Sequence, residues 1–151
     1  MAVFKSHSPS ETKQIAAAIA AKVANTHPKK TGALIITLNG DLGAGKTTFT
    51  QGFAKELGIS RNITSPTFVI MKRHIVKKGA YSNLFHIDAY RMKNITDIAP
   101  LGFENVLKEP SNIVLIEWAE NIQGNMLRGA RAISLAHGKH ETERTIITRG
   151  L

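Results

Sequence analysis

The sequence predicts an α/β layered domain built on a central, mostly parallel sheet, and three observations lead there. Two short apolar runs, Ala33-Leu34-Ile35-Ile36-Thr37-Leu38 and Ile113-Val114-Leu115-Ile116, are rich in Ile and Leu and have the length of strands buried on both faces. One amphipathic stripe precedes the first run and another follows it. Strand, helix and strand thus alternate in the first half, and further strands fill the second, the pattern of a sheet layered with helices.

Each element has its own signal. Ser8-Pro9-Ser10-Glu11 reads as a capping box, with Ser8 as N-cap, Pro9 at the first helical position and Glu11 three residues after the cap. Behind it Ile15, Ile19 and Val23 form one helical stripe. Thr31 and Gly32 turn the chain into the first buried run, which ends at Asn39-Gly40. A second helix is predicted from about Lys46, with Phe49, Phe53 and Leu57 on one face and Gly58 placed to end it. Two extended segments follow, Thr67 to Arg73 and Ser82 to Asp88, with Lys77-Lys78-Gly79-Ala80 as the tip of a hairpin. Short helical pieces are expected over Ile95 to Lys108. Glu117 ends the second buried run. Arg131 to Ala136 and Arg144 to Thr148 form a closing strand pair, joined at His137-Gly138-Lys139.

Length and composition set the limits. A chain of 151 residues is expected to be one domain spanning residues 1–151, and 42% hydrophobic residues suffice for a packed core. The longest wholly apolar run, Ile15 to Ala21, is far short of the roughly 20 residues that span a bilayer, so no membrane association is expected. The first fourteen residues are polar and contain no apolar core of a secretory signal. There is no cysteine, which removes disulfide scaffolds, thiolate zinc sites and cysteine nucleophiles and fits a cytoplasmic location. The charge is unusual: 20 Lys+Arg against 11 Asp+Glu give +9, a balance that favours polyanionic partners.

The chemistry is carried by Gly40-Asp41-Leu42-Gly43-Ala44-Gly45-Lys46-Thr47, a match to the phosphate-binding P-loop, G-x-x-x-x-G-K-[ST]. It leaves a buried strand and opens a helix, the context the motif requires. The glycines, with Ala44 and Thr48 beside them, let successive N–H groups face a phosphate, and the helix presents its positive end to the same anion. Lys46 is expected to neutralise β- and γ-phosphates, and the Thr47 hydroxyl to ligate Mg²⁺. The metal needs a second acid at a neighbouring strand end, and two candidates exist, Asp88 and Glu117. Either can hold Mg²⁺, leaving the other to orient the attacking water. No N-K-x-D guanine-reading motif occurs, and no D-x-x-G follows either acid, which disfavours a GTPase. The fold expected is therefore a three-layer P-loop NTPase fold, with an antiparallel hairpin and a C-terminal strand pair on the parallel sheet.

Four motifs in order resemble the TsaE (YjeE) family. They are Gly40 to Thr48 followed by Phe49-Thr50-Gln51-Gly52-Phe53, then Ser65-Pro66-Thr67-Phe68, then Phe85-His86-Ile87-Asp88-Ala89-Tyr90-Arg91, then Ile116-Glu117-Trp118-Ala119-Glu120. The likeness runs from about Ser10 to Ile122 and fades into the strand pair containing Arg144. It implies a small P-loop ATPase, weak alone, that acts with TsaD and TsaB in threonylcarbamoyladenosine (t6A) modification at adenosine 37 of tRNAs reading ANN codons. Position by position, it implies Thr47 and Glu117 as Mg²⁺ ligands and Asp88 as the residue that positions or activates water. It also implies Thr67 as a sensor of the γ-phosphate and Trp118 beside the nucleotide, while His86 reads first as a hydrogen-bonded structural histidine. One departure stands out: Ala99-Pro100 precede Leu101-Gly102, where family members usually carry an acid.

Two other readings compete. A free-standing phosphotransferase would pass the γ-phosphate to a small hydroxylated metabolite, but its usual arginine-rich lid is represented only by the late, sparse Arg128 and Arg131. A nucleic-acid-binding module would use Lys72, Arg73, Lys77 and Lys78 on tRNA phosphates. A solvated hairpin tip is the plainer reading of those four, because no aromatic residue interleaves with them to stack bases.

Overall fold

Ser8 caps the first helix as its position predicts, but only half of the capping box forms. Its Oγ accepts the Glu11 N–H at 3.1 Å at the start of α1 (Pro9–Ala24). The Glu11 carboxylate accepts the backbone N–H of His7, not of Ser8, at 2.7 Å. That bond, with the His7 ring beside it, holds the Glu11 carboxyl below the usual carboxylate range. The computed structural model describes residues 1–64, 69–122 and 125–151.

The remaining elements are β1 (Ala2–Ser6), β2 (Leu34–Asn39), α2 (Lys46–Glu56), β3 (Met71–Ile75), β4 (Asn83–Asp88), α3 (Phe103–Lys108), β5 (Asn112–Glu117), β6 (Arg131–His137) and β7 (Arg144–Arg149). Single 3-10 turns sit at Ile95–Asp97, Ala99–Leu101, Ala119–Asn121 and Asn125–Leu127. The strands form one seven-stranded sheet in the order β1-β7-β6-β2-β5-β4-β3. Its centre, β6-β2-β5-β4, is parallel, while β3, β7 and β1 join antiparallel.

The predicted hairpin and closing strand pair are both present, with two corrections. β3 covers Met71–Ile75 and not the expected span ending at Arg73: Ile70 has φ +62°, which interrupts extended backbone just ahead of the strand. Ser65 to Phe68 lie outside the described residues. The second correction is β1, an edge strand on β7 that the sequence reading did not anticipate. Ser6 is its only buried residue, so it carries no apolar alternation to read.

Side-chain alternation splits the core into two layers. Ile113 and Leu115 of β5 face one side with Ile36 and Leu38 of β2, under Phe49 and Phe53 of α2 and Ala16 and Ala20 of α1. Val114 and Ile116 face the other side with Ile87, under Ile98, Phe103 and Val106. β5 is buried at all six positions, as its apolar run predicts. β2 is not: Ile35 and Thr37 are half-buried, because the short helices of the second layer roof β4 and β5 and leave β2 partly open.

Two glycines set how the first layer sits. A Cβ at Gly52 of α2 would lie 2.5 Å from the Lys13 carbonyl oxygen, so the absence of a side chain lets α1 and α2 cross at backbone contact. Gly58, at φ +78°, ends α2 with paired bonds. Its N–H donates to the Lys55 carbonyl at 3.0 Å and the Ile59 N–H to that of Ala54 at 3.1 Å, the Schellman pattern. Among the described residues, no helix is long and apolar enough to cross a membrane.

Candidate nucleotide site

Parallel pairing brings the site together at one edge of the sheet. β2, β4 and β5 run in the same direction, so the loop after β2 and the acids ending β4 and β5 meet at the carboxyl ends of the strands. Asp88 and Glu117 are register partners, and Glu117 is also the partner of Leu38. Alternation puts both acids, with His86, on the sheet face that carries α2.

The loop itself is built on three residues with positive φ. Gly40 has φ +150°, Gly43 +78° and Gly45 +100°. A Cβ at Gly40 would lie 2.6 Å from the Leu135 carbonyl oxygen of β6, so both the backbone angle and the contact exclude a side chain there. Gly45 is the N-cap of α2 and has no side chain to satisfy the first helical N–H groups. Those donors are left for an anion, with the helix dipole behind them. Lys46 folds back over the loop and donates from Nζ to the carbonyls of Gly40 at 2.6 Å and Asp41 at 3.0 Å. The same ammonium lies 4.8 Å from the centre of the Trp118 ring.

One cavity of about 460 Å³ collects the predicted residues. Gly43, Gly45, Lys46, Thr47, Thr48, Asp88, Glu117 and Trp118 all line it. Ala44 is fully buried behind the loop. Thr67 lies outside the described residues. The Trp118 side chain is therefore at the cavity wall, partly buried against the second core layer. Its backbone is left-handed, at φ +58°, a costly conformation for a non-glycine residue and one that recurs at functional sites.

The two acids are both nearly buried, and each has a fixed partner. Asp88 accepts the Tyr90 N–H through Oδ1 at 3.0 Å. Glu117 Oε2 lies 3.1 Å from His86 Nε2, and the histidine is fully buried. His86 is thus hydrogen-bonded, as expected, but its partner is one of the two candidate metal ligands. An acid beside a helix N-terminus and a threonine hydroxyl is a hard oxygen donor set. Among the described residues no group of three or more His, Asp or Glu could cage a metal. A hydroxyl and one carboxylate beside a phosphate cradle suit Mg²⁺, which keeps waters and shares substrate phosphates more often than it enters an all-protein cage.

Three residues of the site escaped the sequence reading. Leu42 and Tyr90 line the cavity, both exposed, and the Tyr90 ring lies 4.9 Å from that of Trp118. Arg144 of β7 reaches the loop from behind. It donates from Nε to the Ala44 carbonyl at 3.0 Å and from Nη2 to that of Gly43 at 3.3 Å. Its Nη1 donates to the carbonyls of Glu141 and Glu143. Leu42 stands inside the P-loop match and Tyr90 inside the motif around Asp88, though neither was given a role, whereas Arg144 carried no signal beyond its place in the closing strand pair.

A glycine-rich loop that leaves a central parallel strand, opens a helix and faces two strand-end acids across one cavity defines a P-loop protein of the α/β class. The chain belongs to the TsaE family: the family described as threonylcarbamoyl adenosine biosynthesis protein TsaE matches residues 6–146. It is 41% identical over 120 residues to a Bacillus subtilis protein named tRNA threonylcarbamoyladenosine biosynthesis protein TsaE, a match covering 80% of this chain and 68% of that one. A Rickettsia typhi protein of the same name is 44% identical over 90 residues, covering 59% of each chain. The crystal structure of Bacillus subtilis YdiB superposes with a TM-score of 0.70 at 33% identity, covering 97% of this chain and 83% of that one.

Proposed function

We propose that this chain, acting as one P-loop domain, binds and hydrolyses ATP with Mg²⁺ in the t6A modification of tRNA at adenosine 37. Its partners in this reading are TsaD and TsaB. The single observation that carries the nucleotide chemistry is the shared cavity, in which the loop, Lys46, Thr47 and both strand-end acids converge. Family membership supports the pathway.

Each residue has a physical task in this reading. The N–H groups of residues 43 to 48 hold the phosphates at the start of α2, and Lys46 neutralises charge on the β- and γ-phosphates. Thr47 and Glu117 hold Mg²⁺, which when bound stabilises charge developing on the phosphate oxygens. His86 keeps the Glu117 carboxylate in place through its buried bond. Asp88, held by the Tyr90 N–H, orients and accepts a proton from the attacking water. Trp118 and Tyr90 form an aromatic wall beside the nucleotide.

Slow turnover of the isolated chain follows from the same inventory. Among the described residues no arginine lines the cavity, and Arg144 directs its donors to backbone carbonyls. A partner is then needed to complete the charge around the transferred phosphoryl group. The deciding experiment is ATP turnover by the purified chain, alone and with TsaD and TsaB added. Stimulation by the pair, abolished by Lys46→Ala, is the expected result. Fast turnover in isolation contradicts the reading, and transfer of the γ-phosphate to a small hydroxylated acceptor would replace it with a phosphotransferase.

A further inference from the structure

The backbone of the basic hairpin is tied down, although Lys72, Arg73, Lys77 and Lys78 are all exposed, as a solvated tip requires. The N–H groups of Lys77 and Lys78 both donate to the Leu57 carbonyl at the end of α2, at 2.9 and 3.2 Å. The Ala80 N–H donates to the Ala24 carbonyl at the end of α1 at 3.2 Å. A Cβ at Gly79 would lie 2.6 Å from that of Ala24. The β3–β4 connection is therefore clamped against the ends of both helices, and its cations are carried on fixed backbone.

Between this clamp and the exit of α2 lies a second cavity, of about 310 Å³. Arg61 lines it from the α2 side, and Lys72, Arg73, His74 and Lys77 line it from the hairpin side. Among the described residues no acid lines it, and no carboxylate is ion-paired with Arg61, Lys72, Arg73 or Lys77. Four cations brought together from two segments without a counter-charge repel one another, unless an anion resolves the arrangement. His74 supplies an independent sign. It is only 6% exposed, and its Nε2 has no hydrogen-bond partner, which is rare for a buried ring nitrogen. Burial, and the nearby charges of His86, Lys72 and Arg61, hold its pKa below the usual histidine value, so the ring is neutral and Nε2 can donate or accept.

We propose that this cavity and the cations around it bind phosphates of an RNA backbone, at a site separate from the P-loop. Lys72 to Lys77 stretch over at most about 17 Å of chain, more than one phosphate needs and suited to successive phosphates of a strand. Among the described residues no Phe, Tyr or Trp lines the cavity, so recognition rests on the phosphates and is expected to tolerate any sequence. The inference does not rest on ATP hydrolysis, and variants of the P-loop are expected to keep it.

The test is fluorescence anisotropy with a labelled, unmodified tRNA transcript, titrated with the full chain between about 50 and 200 mM salt. The double variant Arg61→Ala/Lys72→Ala is compared with Lys29→Ala/Arg128→Ala, which removes the same charge from a different cavity. The first pair is expected to lose at least about tenfold in affinity at low salt and to flatten the log–log salt slope by about two, one per phosphate contact. The second pair is expected to bind nearly as the wild type does, and ATP affinity stays unchanged in both. Equal losses from the two pairs would reduce the effect to net charge and overturn the site. Inorganic phosphate that competes beyond the effect of equal ionic strength would make it a single-phosphate pocket. RNA binding unchanged while stimulation by TsaD and TsaB is lost would assign the surface to an acidic protein partner.

Discussion

Arg144 Nε donates to the Ala44 carbonyl at 3.0 Å across 100 residues of chain. The guanidinium also reaches the Gly43 carbonyl, so one side chain holds two consecutive peptide groups of the P-loop from behind. With those carbonyls drawn outward, the loop's N–H groups are free to face a phosphate, and the planar fork of Arg is what spans both acceptors. Arg144→Met is expected to weaken ATP binding by about 1.5–3 kcal/mol, the worth of a charge-assisted bond, while the chain stays folded. Arg144→Lys recovers only part of this, since an ammonium cannot reproduce the fork. Isothermal titration with ATP and Mg²⁺ checks both, and equal affinity in all three proteins would show that the loop needs no brace.

Asp88 and Glu117 are neighbours in register with different partners, and their substitutions should separate. Glu117 is bonded to a fully buried histidine, so Glu117→Gln is the informative change: it keeps an acceptor for His86 and removes the charge. It is expected to raise the Mg²⁺ concentration needed for nucleotide binding. Asp88→Asn keeps the acceptor for the Tyr90 N–H and is expected to spare ATP affinity while lowering the single-turnover hydrolysis rate by 10²-fold or more, about what a general base contributes. Reversed phenotypes would exchange the two roles.

The α1–α2 crossing gives a prediction about stability alone. Gly52→Ala places a methyl group about 2.5 Å from the Lys13 backbone, and backbone cannot yield as a flexible side chain can. The gain in helix propensity, about 1 kcal/mol, is outweighed by overpacking, and a net loss of about 1–3 kcal/mol is expected. Urea denaturation measures it. A more stable variant would mean that the helices separate freely.

His74 should make stability fall on acidification. Its folded pKa lies below the ordinary 6.5, so between the two values the unfolded chain binds the proton more readily. Stability is then fully present above the unfolded pKa and is lost as pH falls through the folded pKa. Thermal midpoints measured from pH 7.5 down to 5 are expected to drop, and to drop less in His74→Gln. Parallel curves for the two proteins would remove His74 as the cause.

How much of this was legible in the sequence differs from residue to residue. The P-loop was readable because all its atoms come from one contiguous stretch whose glycines and lysine have a single joint use. Asp88 and Glu117 were readable as strand ends, since each closes an apolar run. Trp118 was placed beside the nucleotide by the family resemblance alone, because a left-handed φ on a tryptophan leaves no mark of its own in the sequence. β1 was not readable: an edge strand with one buried residue needs no apolar pattern.

The layered α/β class, the order of the main elements and the phosphate cradle are all written in the residues, because they follow from periodicity and from short-range backbone chemistry. Tertiary structure alone decided that β7 delivers Arg144 to the back of the cradle, that His86 is bonded to Glu117, and that Tyr90 stands against Trp118. It also clamped the basic hairpin onto the ends of α1 and α2. Each is a contact between segments distant in the chain, set by sheet order and register. Local sequence preferences say which residues become strands, but only the pairing of those strands decides which side chains meet.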